Sequence, residues 1–360
     1  MKNIITNLEV NNFKSIKDIK IDCKRINVFI GEPNVGKSNI LEALSLFCAP
    51  LSEDGNKFLK EYIRFEKHRN LFYDNDRKNN IKVKTNIGEV YIREQANGND
   101  IFEMYIGEDD FMKYVYNNLG KSAYLLNQDL PKTMKEENNL FAIKSFIHSF
   151  GDNYVQTLPI SYNIPFKRYI FRNDKATNTH PFQGHLTQPF GDNLYRVLEN
   201  NPKLFEEVSH FFIHFGLDLL IDTEYNKLEI QKKIGTRVYK IPYSLAADTL
   251  RRIIFYLAAI ETNDDAILLL EEPEAHSFPP YVSMLAEKII ESKNNQFFVA
   301  THSPYMLTEF IEKGGRDEVS IFICNYENYE TNVRALSEAE IENIMETGID
   351  LFFNIPAFKK

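Results

Sequence analysis

One octapeptide limits what this chain can fold into more than any other feature of its sequence. Residues Gly31–Ser38 read Gly-Glu-Pro-Asn-Val-Gly-Lys-Ser and fit the pattern G-x-x-x-x-G-K-S. The alternation of Ile26, Val28 and Ile30 predicts a strand before the octapeptide, and a helix with one apolar face is predicted to begin at Lys37. A glycine turn between a strand and a helix lets backbone N–H groups face phosphate oxygens, and the helix dipole adds to this. The octapeptide therefore predicts a phosphate-binding loop, with a plain glycine turn as the alternative.

Particular residues of this loop are predicted to hold the ligands. Lys37 would reach the β- and γ-phosphates, and the hydroxyl of Ser38 would hold Mg²⁺. The other residues predicted to contact the nucleotide are Gly31, Asn34, Gly36 and Asn39. The expected cofactors are thus ATP and Mg²⁺.

A second element is an apolar run that ends in acids. The residues at 267–270 are Ile-Leu-Leu-Leu, and Glu271 and Glu272 follow them directly. Short, fully apolar runs are typical of buried parallel strands. Phosphoryl transfer needs one carboxylate beside Mg²⁺ and another that orients or deprotonates water. Alone, an acidic strand end is a weak signal that also fits a solvated loop.

A third element is a histidine behind another apolar run. The segment 296–300 predicts a buried strand, and Thr301, His302, Ser303 and Pro304 come directly after it. A single histidine after a strand usually has a structural role. Following a phosphate loop and an acidic strand, His302 is instead expected to sense the γ-phosphate.

With these elements in place, the chain resembles the OLD-like group of ABC-type ATPases, which is related to the heads of RecF and the SMC proteins. The resemblance rests on the phosphate loop, Asn12–Ile16, Phe190–Leu194, Leu270–His276 and Thr301–Pro304. It implies an α/β fold, namely an ABC-type P-loop NTPase head with a mixed central sheet, an antiparallel N-terminal β region and a helical insertion.

The resemblance also implies roles for the acids and for a second subunit. Glu271 would be the acid on the Mg²⁺ side, and Glu272 would be the catalytic base, with His302 beside it. The loop Glu274–Ser277 would face a partner head, because this class holds ATP between two heads. A homodimer or a higher homo-oligomer is therefore expected.

The chain divides into three parts by pattern. Residues 1–108 read as the N-terminal part of the ATPase head, 109–160 as a helical insertion, and 161–360 as the C-terminal part of the head. The segment 171–192 is rich in Asn, Thr, Gly and Pro and predicts a long loop. Gln183 and Gln188 in that loop are the candidates for the glutamine of a Q-loop.

The sequence departs from the family pattern at the signature motif, Ser244–Arg252. The family carries a serine and glycines there, which touch the γ-phosphate bound to the opposite head, whereas this chain has Ala246 and Ala247. Ser244, Thr249 or Arg251 are the possible substitutes. A head that binds ATP without turnover therefore stays open as an alternative.

Composition narrows the range of partners and compartments. Lys and Arg total 42 and Asp and Glu total 51, so the net charge of −9 argues against a strongly basic nucleic-acid binder. A local basic patch stays possible, because net charge does not fix its distribution. The three cysteines form no CxxC pair, and no long apolar run or apolar leader is present, so we expect a cytoplasmic protein with no membrane contact.

Two weaker patterns each have an ordinary explanation. Lys167, Arg168 and Arg172 lie among aromatic residues, which fits either a contact to DNA or RNA or a strand with a solvated face. His210 and His214 are four residues apart on a predicted helix and could bind a metal, but surface or core histidines are the commoner case.

The expected function is a nucleotide-driven sensor, switch or scaffold that works with an effector in trans, a nuclease or a toxin. The resemblance places such a protein in bacterial anti-phage defence, and the segment after His302 shows no acid cluster of the Toprim nuclease kind. The alternatives are a RecF- or SMC-like DNA-repair ATPase that binds DNA directly, a transporter subunit, and an inactive scaffold.

Overall fold

The computed structural model describes residues 4–48, 59–94, 101–107, 143–148, 165–173 and 184–358. The strands, numbered along the chain, are β1 (Asn7–Phe13), β2 (Ile16–Asp22), β3 (Ile26–Ile30), β4 (Ile81–Thr85), β5 (Gly88–Glu94), β6 (Ile101–Gly107), β7 (Ile143–His148), β8 (Phe166–Tyr169), β9 (Asp218–Asp222), β10 (Lys227–Ile234), β11 (Arg237–Pro242), β12 (Ile267–Glu271), β13 (Gln296–Ala300), β14 (Val319–Glu327) and β15 (Glu330–Ala335). The helices are α1 (Lys37–Ser45), α2 (Leu194–Asn200), α3 (Pro202–Ile213), α4 (Asp248–Glu261), α5 (Pro279–Glu291), α6 (Pro304–Lys313), α7 (Glu338–Thr347) and α8 (Leu351–Asn354).

The central sheet is mixed, in the order β15-β14-β3-β13-β12-β8. All neighbours pair in parallel except β14 with β15, which are antiparallel. Because β3, β12 and β13 run side by side in one direction, their carboxyl ends meet at one edge of the sheet. The phosphate loop, the two acids and the histidine follow these three strand ends, so the fold brings the predicted site together.

Both faces of the central sheet are covered, which explains its continuous apolar runs. Along β12, Leu268 and Leu270 pack into one buried cluster, whereas Ile267 and Leu269 pack into the other. The first cluster contains helix α4, whose apolar face is buried as its sequence predicts, and the second contains α1 and the N-terminal sheet. A strand that is buried on both sides needs apolar residues at consecutive positions.

The N-terminal β region is antiparallel, as the resemblance implies, with the strand order β2-β1-β4-β5-β6-β7. Inward and outward residues alternate along β1 and β4, as expected for strands with one covered face. The predicted helical insertion 109–160 is wrong at 143–148, since these residues form β7 and pair antiparallel with β6. Backbone pairing with the neighbouring strand decides this segment over its helical pattern. The rest of that insertion lies outside the described residues.

A smaller sheet, β11-β10-β9, precedes the signature stretch. Strands β9 and β10 share the core with α3, whereas most of β11 is exposed. The predicted loop at 171–192 has neither helix nor strand at 171–173 and 184–192, and its remaining residues lie outside the described part.

Candidate functional site

The octapeptide forms the turn from β3 into α1, as predicted. Gly36 adopts a left-handed conformation with φ 95°, and a Cβ atom there would lie 2.1 Å from Thr331 Oγ1. Asn34 is also left-handed, with φ 65°. Glycine at position 36 therefore serves both the backbone angle and the close approach of β15. No side chain caps α1, and the Asn39 amide donates to the Gly36 carbonyl oxygen at 3.0 Å, so the amides of Lys37 and Ser38 are left for an anion.

Lys37 is held over this loop by main-chain carbonyl groups. Its ammonium group donates to the carbonyl oxygen of Gly31 at 3.0 Å and to that of Glu32 at 2.8 Å. Only 5% of the residue is exposed, and burial lowers the pKa of Lys37, against the opposing influence of nearby acids. A cation that has lost most of its hydration interacts strongly with a phosphate that replaces the lost water.

A cleft of about 470 Å³ opens beside the loop, within the usual range for small-molecule sites. Its lining residues are Ser15, Pro33, Asn34, Gly36, Lys37, Ser38, Asn39, Arg64, Glu272, Ala300, His302 and Tyr326. The structure thus brings residues from all three predicted elements to one cleft. Ser15, Arg64 and Tyr326 were not predicted from the sequence.

Glu271, the last residue of β12, is paired with two arginines. Its Oε2 lies 2.5 Å from Arg168 Nη2, and its Oε1 lies 2.9 Å from Arg64 Nη2. Burial opposes ionisation of this carboxyl, but Arg168, a hydrogen bond with Ser38, and Arg64 outweigh it, and the pKa of Glu271 lies below its ordinary value. Glu271 is therefore a carboxylate at neutral pH, next to the serine hydroxyl of the phosphate loop.

Arg168 is a buried anchor for this acid. The residue is 2% exposed, and its guanidinium group also donates to Ser45 Oγ at 3.0 Å and to the Tyr62 carbonyl oxygen at 2.7 Å. Both interpretations of this arginine, a nucleic-acid contact and a solvated strand face, are thereby wrong, because the side chain does not reach the surface. The signal for its role was an arginine at the centre of the strand that pairs with the acidic strand.

The pairing continues from Glu271 towards the N-terminal motif. Arg64 also donates through Nε to Glu42 Oε1 at 2.7 Å, and Glu42 is fully buried in α1. Lys14, from the Asn12–Ile16 motif, forms an ion pair with the other oxygen of Glu42. A chain of alternating charges therefore links the N-terminal motif to the acid at the end of β12.

Glu272 and His302 face each other at the mouth of the cleft. Their nearest atoms, Glu272 Oε1 and His302 Nε2, are 3.6 Å apart. Glu272 has φ 43°, and its amide donates to the carbonyl oxygen of Ala300 at 2.8 Å, so the chain turns sharply between the two acids. This turn sends Glu271 inward and leaves Glu272 exposed. Burial, followed by the charge of Lys37, lowers the pKa of His302, and Glu272 opposes the change.

Glu274 points into the protein, contrary to the expectation that it faces a partner head. Its Oε1 accepts from Thr301 Oγ1 at 2.6 Å and from the His302 amide at 2.8 Å, and the residue is 8% exposed. Burial raises the pKa of Glu274. The carboxyl thus fixes the histidine loop to the acidic loop, while His276 and Phe278 are the exposed residues farther along.

The signature stretch begins with a 3₁₀ turn at Tyr243–Leu245, before α4 begins at Asp248. Two of the three residues predicted to replace the signature serine and glycines make hydrogen bonds within the head instead. Thr249 Oγ1 donates to the His276 carbonyl oxygen at 2.7 Å, and Arg251 donates to Asn173 Oδ1 at 2.8 Å. Ser244 is exposed.

Gln188 and His210 do not line the cleft. Gln188 accepts the Arg168 amide through Oε1 at 3.0 Å, whereas Gln183 lies outside the described residues. His210 Nδ1 lies 2.8 Å from the Glu206 carbonyl oxygen within α3. Across the described ranges, no group of three or more His, Cys, Asp and Glu residues is arranged to hold a metal ion.

The residues at the cleft suit ATP with Mg²⁺. The hydroxyl of Ser38 is among the groups that lower the pKa of Glu271, so a hydroxyl and a carboxylate are available together. Mg²⁺ prefers oxygen ligands, and proteins commonly supply one or two carboxylates and leave the other positions to phosphate and water.

None of the helices that the structure describes has the length and apolar character to cross a membrane.

Comparison with known proteins gives the family. The family model described as "AAA ATPase domain" matches residues 1–207 and 248–307. A Helicobacter pylori (strain ATCC 700392 / 26695) protein named "ATP/GTP phosphatase" is 24% identical over 338 residues, which are 86% of this chain and 87% of that protein.

The solved structures that align with this chain include SMC heads. One head derived from Pyrococcus furiosus, bound to the C-terminal domain of ScpA, is 14% identical and covers 95% of this chain and 98% of that chain, with a TM-score of 0.49. The SMC head domain from Thermotoga maritima is 14% identical and covers 92% and 99%, with a TM-score of 0.40. On the match of the family model, which spans most of its length, the chain belongs to the AAA ATPase domain family and is an ATPase.

Proposed function

We propose that this ATPase is an OLD-like nucleotide-driven switch in which two heads close on ATP and signal to a separate effector. One observation carries the proposal: Lys37, Glu272 and His302, from three distant parts of the chain, line the same cleft. That combination supports hydrolysis rather than binding alone, since it joins a phosphate cation to an exposed carboxylate and an imidazole.

The proposed reaction assigns one role to each group. Lys37 and the amino end of α1 bind the phosphates, with Gly31, Asn34, Gly36 and Asn39 shaping the loop. Glu272 accepts a proton from water as the water oxygen bonds to the γ-phosphorus, and the bond from that phosphorus to the bridging oxygen breaks to release ADP.

Other groups prepare the ligand for this step. Ser38 and Glu271 would hold Mg²⁺, which supplies charge neutralisation to the phosphates. His302, whose lowered pKa favours the neutral imidazole, would donate one hydrogen bond to the γ-phosphate. Arg64, already at the cleft, is available to the same phosphate if it leaves Glu271.

Pairing of two heads has support from the surface beside the signature stretch. The hydrogen bond from Thr249 to His276 joins this stretch to the loop after the acids. Two large apolar side chains flank the junction, Leu245 with 72% of its surface exposed and Phe278 with 62%. We assign these two side chains to the surface that the second head covers.

The proposed effector in trans and the role in anti-phage defence derive from the resemblance to the OLD-like group. The N-terminal motif shared with that group, Asn12–Ile16, contributes Lys14 to the chain of alternating charges that reaches Glu271. Its Phe190–Leu194 segment packs on α4, where a Cβ at Gly191 would lie 2.7 Å from Phe255. The first motif is thus connected by ion pairs to the acid beside the ATP cleft, and the second packs against α4.

The test is the assembly state of Glu272→Gln, a variant expected to retain ATP. Sedimentation with Mg²⁺ and ATP should show a dimer or larger species, and sedimentation without nucleotide should show less of it. Lys37→Ala is the matched control, because it removes the phosphate cation and should not respond to ATP. A monomer under all conditions would contradict the pairing of heads.

A further inference from the structure

A basic β-hairpin stands out from the surface on the segment 231–240, the outer half of β10 and most of β11. Residues from Lys232 to Lys240 are all exposed, including the apolar side chains of Ile234, Val238 and Tyr239, which are 54%, 51% and 47% exposed. The inner half of β10 behaves differently, since Leu228 and Ile230 are buried. The hairpin is therefore anchored at its base and uncovered at its tip.

The charge of this hairpin opposes that of the whole chain. Its charged residues are Lys232, Lys233, Arg237 and Lys240, and it has no acid, whereas the chain has a net charge of −9. Lys240 pairs with Glu229 at 2.8 Å. Within the described part of the chain, the side chains of the other three cations make no hydrogen bond or ion pair. Three positive charges are thus left to an outside partner.

The register places cations together with apolar residues on each of the two faces of the hairpin. Lys232 lies opposite Tyr239 and Ile234 lies opposite Arg237, so these four share one side. Lys233 lies opposite Val238 on the other side. A two-stranded ribbon that enters a groove tip first presents one face to each wall, so the cations on its two faces can contact phosphates on both walls.

The hairpin also lies in a segment that the family model does not match. That model matches residues up to 207 and again from 248, so the sheet β9–β11 falls between the two matched segments. Its last strand leads through the 3₁₀ turn at Tyr243–Leu245 directly into α4. A ligand bound to the hairpin would therefore be connected through this short turn to the surface proposed to pair with a second head.

We propose that the hairpin 231–240 docks in the major groove of duplex DNA. The major groove admits a two-stranded β-ribbon, and cations on the two sides of such a ribbon suit the two phosphate walls. Apolar side chains at the tip can meet thymine methyl groups. The major groove of duplex RNA is deep and narrow, so the ribbon fits DNA better than RNA.

The test compares the wild-type protein with the variant Lys232→Ala/Lys233→Ala/Arg237→Ala by fluorescence anisotropy on a labelled duplex DNA over a series of salt concentrations. Each phosphate contact contributes about 0.9 to the slope of log affinity against log salt, so the triple variant should lower that slope by about 2.7. We expect at least about a tenfold loss of affinity near physiological salt, and weaker binding of the wild type to duplex RNA of the same sequence.

The charge-matched control is Lys293→Ala/Lys313→Ala/Arg316→Ala, which removes three exposed cations that already pair with acids. It should bind DNA like the wild type. Equal binding by the two triple variants, equal affinity for duplex RNA, or absence of salt-dependent DNA binding by the wild type would each overturn the proposal. ATP turnover should persist in the hairpin variant, so failure of this inference is distinguishable from failure of the ATP switch.

Discussion

Arg168 Nη2 lies 2.5 Å from Glu271 Oε2, so a buried guanidinium group fixes the acid predicted to hold Mg²⁺. The two residues sit on the paired strands β8 and β12, where Leu269 is opposite Arg168. The arginine approaches from inside the protein, and Arg64 approaches from the cleft. A metal that binds Glu271 would therefore displace Arg64, while Arg168 would keep the carboxylate oriented.

Replacement of Arg168 by Met should destabilise the protein. Glu271 would keep only Arg64, and the buried acceptors on Ser45 and Tyr62 would lose their donor, which typically costs about 1–3 kcal/mol in the free energy of unfolding for each unsatisfied group. Urea denaturation measures this change. Arg172→Met is the control, because that arginine is exposed over the ring of Phe190 and its loss should change stability far less. Equal stabilities of the two variants would contradict the anchoring role.

Replacement of Lys37 by Ala should abolish nucleotide binding. The phosphates would lose the one buried ammonium group that the cleft lining supplies. Isothermal titration with ATP and Mg²⁺ should give no measurable heat of binding. Lys17→Ala, on an exposed part of β2, should bind like the wild type. The phosphate-loop assignment is ruled out if the affinity of Lys37→Ala equals that of the wild type.

Replacement of Glu272 by Gln should leave ATP bound and slow its hydrolysis by about 10²–10⁴-fold, the usual contribution of a general base. Glu271→Gln is the informative comparison, since it should raise the Mg²⁺ concentration needed for half-maximal turnover. Steady-state rates over a magnesium titration separate the two effects. Wild-type turnover by Glu272→Gln would show that the roles of the acids are wrongly assigned.

Replacement of Glu274 by Gln should change how stability depends on pH. Burial raises the folded-state pKa of Glu274, so the folded protein binds its proton more tightly than the unfolded chain does. This contribution to stability is complete below the unfolded pKa, about 4.3, and is lost as pH rises through the folded-state pKa. Gln mimics the protonated acid, so the stability of the variant relative to the wild type should increase as pH rises.

Urea denaturation of both proteins over a pH series measures this difference. Glu342→Gln replaces a half-exposed surface acid and should show no such trend. A constant difference between Glu274→Gln and the wild type at every pH would refute the link between burial of Glu274 and stability.

The sequence by itself determined the local parts of the site. The phosphate loop follows from spacing within one octapeptide, because a strand, a glycine turn and a helix are all specified by neighbouring residues. The acids and His302 follow the ends of β12 and β13, as predicted, because short apolar runs form the parallel strands of a covered sheet. The antiparallel N-terminal region was also predicted, and alternation of inward and outward residues marks its strands.

Only the tertiary structure decided which charges meet. Arg64 and Glu271 are 207 residues apart, and an arginine has no local pattern that names its partner. The inward turn of Glu274 depends on Thr301, which arrives from a neighbouring strand end. Likewise, residues 143–148 form a strand because they pair with the edge of β6. Local sequence sets what a segment can form, whereas burial and pairing between distant segments set which possibility is realised, since their free energy exists only after the chain has folded.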